Sequence, residues 1–145
     1  MAKINLDNVR GITVPTALAD KEYENGLVIG LGSIVEGEHN MYKAVAATEG
    51  NVYLITTPEI DRTSKSASID HTNKKGSHMR VHQLEQGDVF TVESSIHGVT
   101  RTVGQKVSVS GNQFVDVSEG AAVAEVIEAG TIGGDKREAI SLRMI

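Results

Sequence analysis

The chain contains no cysteine and no tryptophan. Without thiols, it has no disulfides, zinc–thiolate sites, iron–sulfur clusters or cysteine nucleophiles, and a reducing compartment is permitted. Aromatic residues are scarce: Tyr23, Tyr42, Tyr53, Phe90 and Phe114 are the whole set in 145 residues. Proline occurs only at Pro15 and Pro58. Long apolar runs are missing too. The longest, residues 27–31, is interrupted by Gly30, far short of the roughly 20 residues a membrane helix needs. Residues 1–10 lack the apolar stretch of about 7 to 15 residues that marks an export signal. The expectation is a chain made in the cytoplasm, with no membrane partner.

What fills these gaps is β-branched. Val, Ile and Thr make 40 of the 145 residues while Leu supplies 7, the composition of a sheet protein. Leu, Ile, Val and Phe together give 38 residues, about 26% of the chain and above the disorder-prone range of roughly 20%. A chain of this length buries roughly 70% of its unfolded surface and needs no staple. One domain with a core of small residues follows.

Along the chain, residues 1–26 have weak periodicity and several breakers, including Gly11, Pro15 and Asn25-Gly26. Ile4, Leu6, Ile12 and Val14 alternate with polar neighbours, which leaves an N-terminal arm and an edge strand both open. Residues 27–145 read as a single β domain. Leu27-Val28-Ile29, residues 41–46 and residues 52–57 are short apolar runs bounded by turn formers, the pattern of buried strands. Strand signals resume at 79–84 and 88–93 around Glu85-Gln86-Gly87. Residues 106–109 and 113–117 flank Ser110-Gly111-Asn112, with Val107, Val109, Val115 and Val117 at period two, and predict a hairpin. Residues 122–129 and 138–143 bracket a turn at Gly133-Gly134-Asp135, with Ile140 and Leu142 on one face and Ser141 and Arg143 on the other. Residues 121–128 also admit a helical turn or two. The sum is a mainly β protein of eight or nine short strands, a small antiparallel barrel or sandwich.

Residues 61–78 interrupt this rhythm with a polar loop whose only sizeable aliphatic residue is Ile69. Loops of this length are functional or disordered far more often than ordinary connections of about 4 to 6 residues. The formal charge of −5 hides a contrast centred there. Residues 1–60 carry 4 basic and 8 acidic side chains, residues 61–82 carry 5 and 2, and residues 83–145 carry 5 and 9. A basic segment projects from an acidic body, and Arg62, Lys65, Lys74, Lys75 and Arg80 are the candidate partner-contact residues.

No constellation carries chemistry. Gly30 to Gly37 lacks the third glycine of a dinucleotide fingerprint, because Val35 stands there; strand and turn roles explain Gly30, Gly32 and Gly37 instead. His78 and His82 can face the same way and His71 is near in sequence, but no acid separates them as in the zinc motif H-E-x-x-H, and solvated loop histidines account for them. Glu36 with Glu38, and Glu125 with Glu128, have spacings common on any acidic surface. Neither Ser33 nor Ser77 lies in a nucleophile elbow. Nucleic-acid binding by a small barrel needs aromatic platforms interleaved with basic residues, which five aromatics in an acidic chain do not supply. No catalytic residue, metal site or cofactor is expected.

The order of signals resembles capsid decoration (cement) proteins of tailed bacteriophages. The residues that carry the resemblance are Asn25-Gly26-Leu27-Val28, Gly37-Glu38, residues 41–48 and 52–59, Arg80-Val81-His82-Gln83-Leu84, Gly87-Asp88-Val89-Phe90-Thr91-Val92 and Val103-Gly104-Gln105-Lys106-Val107. Each is a strand with its turn, and together they span residues 25–117. The resemblance implies a β-rich, non-enzymatic virion structural protein that binds the major capsid protein on the outer capsid surface. It also implies a homo-oligomer, a trimer before other orders, clamping the shell against internal pressure. Two rival readings are another virion component, such as a tail tube, connector or fibre base, and a metal-dependent hydrolase built on His78 and His82.

Overall fold

The computed structural model describes residues 4–8, 13–37, 41–56, 73–117, 120–132 and 136–145. Within them are eleven strands: β1 (Ile4–Asn8), β2 (Thr13–Leu18), β3 (Val28–Ile34), β4 (Met41–Val45), β5 (Tyr53–Ile55), β6 (His78–Gln83), β7 (Val89–Glu93), β8 (Lys106–Ser110), β9 (Gln113–Asp116), β10 (Ala124–Ile132) and β11 (Arg137–Met144). One 3-10 turn, Ser94–Ile96, follows β7. The protein is mainly β, a closed barrel packed on a second sheet.

The barrel runs β2-β4-β3-β5-β6 and back to β2. Four of its pairings are antiparallel and one, β2 with β4, is parallel. The expected small, mainly antiparallel barrel carries one parallel pair, and the reason is parity: a closed ring of alternating strand directions needs an even number of staves, so five force one parallel neighbour. Closure leaves no free edge. Pro15 fits inside β2 because the register against β6 shifts between Val14 and Ala17, so the residue without an N–H sits at an irregularity and not in the ladder.

The second sheet has six strands in the order β1-β7-β11-β10-β8-β9. β1 lies at its edge while β2, a few residues on, is a barrel stave, so the first 26 residues contribute to both layers. Phe90 and Val92 of β7, Val107 of β8, Phe114 of β9, Ala124 and Val126 of β10, and Ile140, Leu142 and Met144 of β11 cover its inner face. Val28 and Leu54 of the barrel wall, with Ala47, Val52, Leu84 and Val123 from the connecting segments, complete the same cluster. A smaller cluster of Ala17, Ala19, Tyr23, Ile29, Ala44, Ile55, Met79 and Val81 fills the barrel.

Strand β5 and the first half of β3 are therefore buried on both faces. Val28 and Leu54 point to the sheet, while Ile29 and Ile55 point into the barrel. That is why Leu27-Val28-Ile29 and Leu54-Ile55 are continuous apolar runs, whereas β6 alternates, with Met79 and Val81 buried between exposed His78 and Arg80.

Residues 27–145 contain nine described strands, and the two before them bring the total to eleven. The helical alternative at 121–128 gives way to β10, which pairs along its length with β11 through a bulge between Val126 and Glu128. Ile140 and Leu142 face inward and Ser141 and Arg143 outward, as the alternation requires. The hairpin of β8 and β9 forms with Val107 in the core and Val109 packed against it, while on β9 the valines do not mark the buried face. Its two-residue turn, Gly111-Asn112, pairs Val109 with Phe114 and Ser108 with Val115. Phe114, not Val115, is the core residue of β9. The turn at 133–135 and residues 61–72 of the polar loop lie outside the described residues.

Candidate functional site

The described end of the basic segment is a turn fixed to the barrel rim. Asn73 and Tyr23 exchange both backbone hydrogen bonds, at 2.9 and 2.7 Å. The Asn73 side-chain amide also donates to the Tyr23 carbonyl and to Asn25 Oδ1, each at 3.1 Å. Asn25 and Asn73 are almost fully buried, where an unpaired amide would cost about 1–3 kcal/mol, so the pairing locks the chain entering β6. Three residues on, Gly76 donates to the Ala19 carbonyl at 2.8 Å and Ala19 to the Ser77 carbonyl at 3.0 Å. The Ser77 backbone N–H and hydroxyl both donate to the Lys74 carbonyl. Gly76 has φ +84°, a left-handed conformation that a side chain would strain.

This frame presents Lys74 and Lys75 outward, both exposed. Neither ammonium has an ion-pair or hydrogen-bond partner among the described residues. Beside them run Asp20, Lys21 and Glu22, exposed residues of the stretch that holds the turn. Tyr23 donates its hydroxyl to Asp20 at 2.5 Å, and Lys21 lies 5.4 Å from the centre of the Tyr23 ring. Burial, and then the hydrogen bond and charge of Asp20, push the Tyr23 phenol well above its usual range. The turn is thus a local mixture of three cations and two anions, less one-sided than the linear charge count of residues 61–82.

Arg62 and Lys65 lie outside the described residues. Arg80 does not belong to the turn: it sits on the outward face of β6 with His78 and His82, and its Nε donates to the Thr56 carbonyl at 3.0 Å. The fold brings Lys74 and Lys75 together and commits Arg80 to bracing the end of β5.

His78 and His82 share that outward face, with His78 exposed and His82 half-buried. His82 Nδ1 is 2.6 Å from Thr56 Oγ1. Burial, and then the Arg80 guanidinium, pull the imidazole below its ordinary pKa, so it is neutral at pH 7. Thr56 is 3% exposed, which seals the hydroxyl from any substrate and makes the pair a structural bond. Among the described residues no three His, Asp or Glu side chains gather around one point; His39 and His71 lie outside them. Glu125 is committed to Lys106, at 2.7 Å, and to Arg143. The Lys106 hydrogen bond outweighs desolvation and, with both cations, holds the Glu125 carboxyl below its usual range.

Two clefts open on the surface. One, of about 380 Å³, lies on the outer face of the sheet, lined by Val89, Thr91, Ile127, Glu128 and Ser141 among others. The other, of about 290 Å³, lies where β5 and β6 meet the carboxyl end, with Tyr53, Gln83, Ala122 and Ile145 in its wall. Neither contains a histidine. Phe90 and Phe114 are fully buried, Tyr23 nearly so, and Tyr42 and Tyr53 are half-buried.

One polar residue escaped the sequence reading. His97 is 8% exposed and engages both ring nitrogens, with the Gly26 carbonyl 2.9 Å from Nε2 and the Phe114 backbone N–H 3.0 Å from Nδ1. Its flanks, Ile96 and Val99, are apolar and carried the available signal for burial. No protein-family model, curated protein or solved structure matches this chain.

Proposed function

We propose that the chain is a non-enzymatic virion structural protein that decorates and stabilises a bacteriophage capsid by binding the major capsid protein from outside. The observation that carries the reading is the lysine turn: two exposed cations without an ion-pair partner among the described residues, held by backbone hydrogen bonds on a β protein whose whole chain has a net charge of −5. A preorganised turn loses little entropy on docking, so its charges are available for orientation and on-rate against an acidic surface. The resemblance across residues 25–117 supplies the identity of that surface. A symmetric oligomer, a trimer in the first instance, would contact several capsid subunits at once and gain avidity without new contacts. No step of this role needs a cofactor.

The test is co-sedimentation of the purified chain with shells that lack it, with the heat stability of the shells measured alongside. Saturable binding and a raised shell melting temperature are expected; binding to neither expanded nor mature shells, with shell stability unchanged, overturns the reading. Electron microscopy that puts the chain in a tail tube, connector or fibre base gives it the other virion role. Replacing Lys74 and Lys75 together by Glu should weaken shell binding, with the larger loss at low salt, because exposed charges interact over a Debye length of about 10 Å at 0.1 M and further in dilute buffer. Unchanged binding removes the turn from the interface.

A further inference from the structure

We infer that His97 is an acid-released latch that holds the β8–β9 hairpin of the sheet against the barrel. Among the described residues, few polar links make up the seam between the two. On the barrel side they come from Gly26, Val28 and Ala47; on the sheet side from His97, Gly111 and Asn112. The Val28 N–H donates to the Asn112 carbonyl and the Asn112 side chain returns a bond to the Val28 carbonyl, both at 3.1 Å. The Ala47 N–H donates to the Gly111 carbonyl at 2.8 Å. His97 adds the link between Gly26 and Phe114, and its ring packs at 5.3 Å and a 47° tilt on the Phe114 ring.

The protonation state of this latch follows from its partners. A backbone N–H only donates, so the Phe114 amide requires a lone pair on Nδ1. Nε2 then carries the proton and gives it to the Gly26 carbonyl. Both nitrogens are satisfied in one neutral tautomer. A second proton has one place to go, Nδ1, where it would confront the Phe114 N–H with another donor. The same proton would put a charge in a site that is 8% exposed. The charged ring therefore has to leave, and leaving removes one of the links across the seam.

Among the described residues no carboxylate contributes to the His97 shift. The ionisable side chains on the packed elements are Glu24 beside the Gly26 turn, Glu93 before the 3-10 turn, Asp116 on β9 and Lys106 on β8. Glu93 pairs with Arg137 at 3.2 Å, Asp116 accepts from the Thr100 amide and hydroxyl, and Lys106 pairs with Glu125. Two influences govern the ring: burial lowers its pKa and the Gly26 carbonyl raises it, for a result of about 4 against the usual 6.5. The open form, with its ring in water, takes up a proton more readily than the closed form. Closure is therefore strongest above about pH 6.5 and weakens as pH falls to about 4.

Hydrogen exchange followed by NMR on the full chain between pH 7 and 3.5 tests this, with rates corrected for the intrinsic pH dependence. The amides of Val28, Ala47 and Phe114 report the seam, and those of Ala19, Tyr23 and Asn73 report the rim of the barrel that holds the lysine turn. Seam protection should fall by about 80-fold between pH 6.5 and 4, out of a full linkage of about 300-fold for a difference of 2.5 pH units, while the rim amides hold. His97→Gln, which has no titrating group, should remove the pH dependence. Loss of protection at seam and rim together, or a seam that stays closed while the His97 ring titrates near 6.5, overturns the latch. The wild-type comparison of the two amide sets stands whether or not the variant folds.

Discussion

The barrel interior holds Ala17, Ala19 and Ala44 beside Ile29, Ile55, Met79, Val81 and Tyr23, whereas the sheet packs Phe90, Phe114, Leu142, Ile140 and Met144 against the barrel wall. The two regions share β3 and β5 but solve different problems. A ring of five staves is narrow, so its lumen takes alanines and unbranched or β-branched side chains, and its order rests on closed hydrogen-bond ladders and close backbone approach. The sheet has open edges and draws its cohesion from large apolar groups on one face. Because Val28 and Leu54 lean on the sheet core, the barrel wall is supported from outside as well as within. The sheet core carries the larger side chains of the two, and the barrel wall leans on it.

Truncation of the largest core side chains tests this ranking first. Phe114→Ala should cost about 3–5 kcal/mol, since the ring lies 5.8 Å from Phe90 and 5.3 Å from His97 and no neighbour on β9 can fill the gap. Met79→Ala, its counterpart in the barrel, removes a flexible side chain from a lumen lined by alanines and should cost less, within about 2–4 kcal/mol. Both are read from denaturant unfolding. Equal costs, or a larger one at Met79, would reverse the ranking and make the barrel the keystone.

Added methyl groups probe the opposite limit. A Cβ at Gly30 would lie 2.8 Å from the Ala46 carbonyl and from Asn51 Nδ2, so Gly30→Ala should force β3 away from its neighbours and cost about 1–3 kcal/mol. At Gly98, beside the sheet edge, the nearest atom would be Val115 Cγ1 at 3.5 Å, an ordinary contact. Gly98→Ala should be neutral or stabilise by up to about 1 kcal/mol, through the unfolded chain. Thermal melts of the two variants give opposite signs if close approach limits the barrel and not the sheet.

How much of this was legible in the sequence follows the same division. Local signals gave the strands from residue 28 onward, because period-two alternation and turn residues act within a hairpin. The two-sided burial of β5 and the first half of β3 was visible as unbroken apolar runs. Facing was lost at Val115, since a two-residue turn sets which residues oppose one another and its length reads ambiguously from Ser110-Gly111-Asn112. The parallel pairing of β2 with β4 left no trace, because it arises from the number of staves in a ring. Lys74 and Lys75 were evident as cations, but their acidic neighbours Asp20 and Glu22 come from about 50 residues earlier. His97 stood in no motif: its role depends on Gly26 and Phe114, which only the folded chain brings to it.

Polar stitching separates the regions by the smallest margin. Where the β5 backbone ends, Asn51 continues the ladder with its side chain: it accepts from the Leu31 N–H at 3.1 Å and donates to the Leu31 carbonyl at 3.2 Å. Asn51→Ala leaves both backbone groups of a half-buried strand without a partner and should cost about 1–3 kcal/mol. On the outer face of the sheet, Thr91 Oγ1 and Ser141 Oγ meet at 2.7 Å, but that face is open along the cleft. Thr91→Val keeps the volume of the side chain, and water can replace the lost hydroxyl at Ser141. Its cost should stay near 0.5–1 kcal/mol. Urea midpoints ordered Asn51→Ala below Thr91→Val, at equal slopes, would confirm that the barrel is held by its hydrogen bonds more than the sheet is by its own. The reverse order would make apolar filling the controlling term in both.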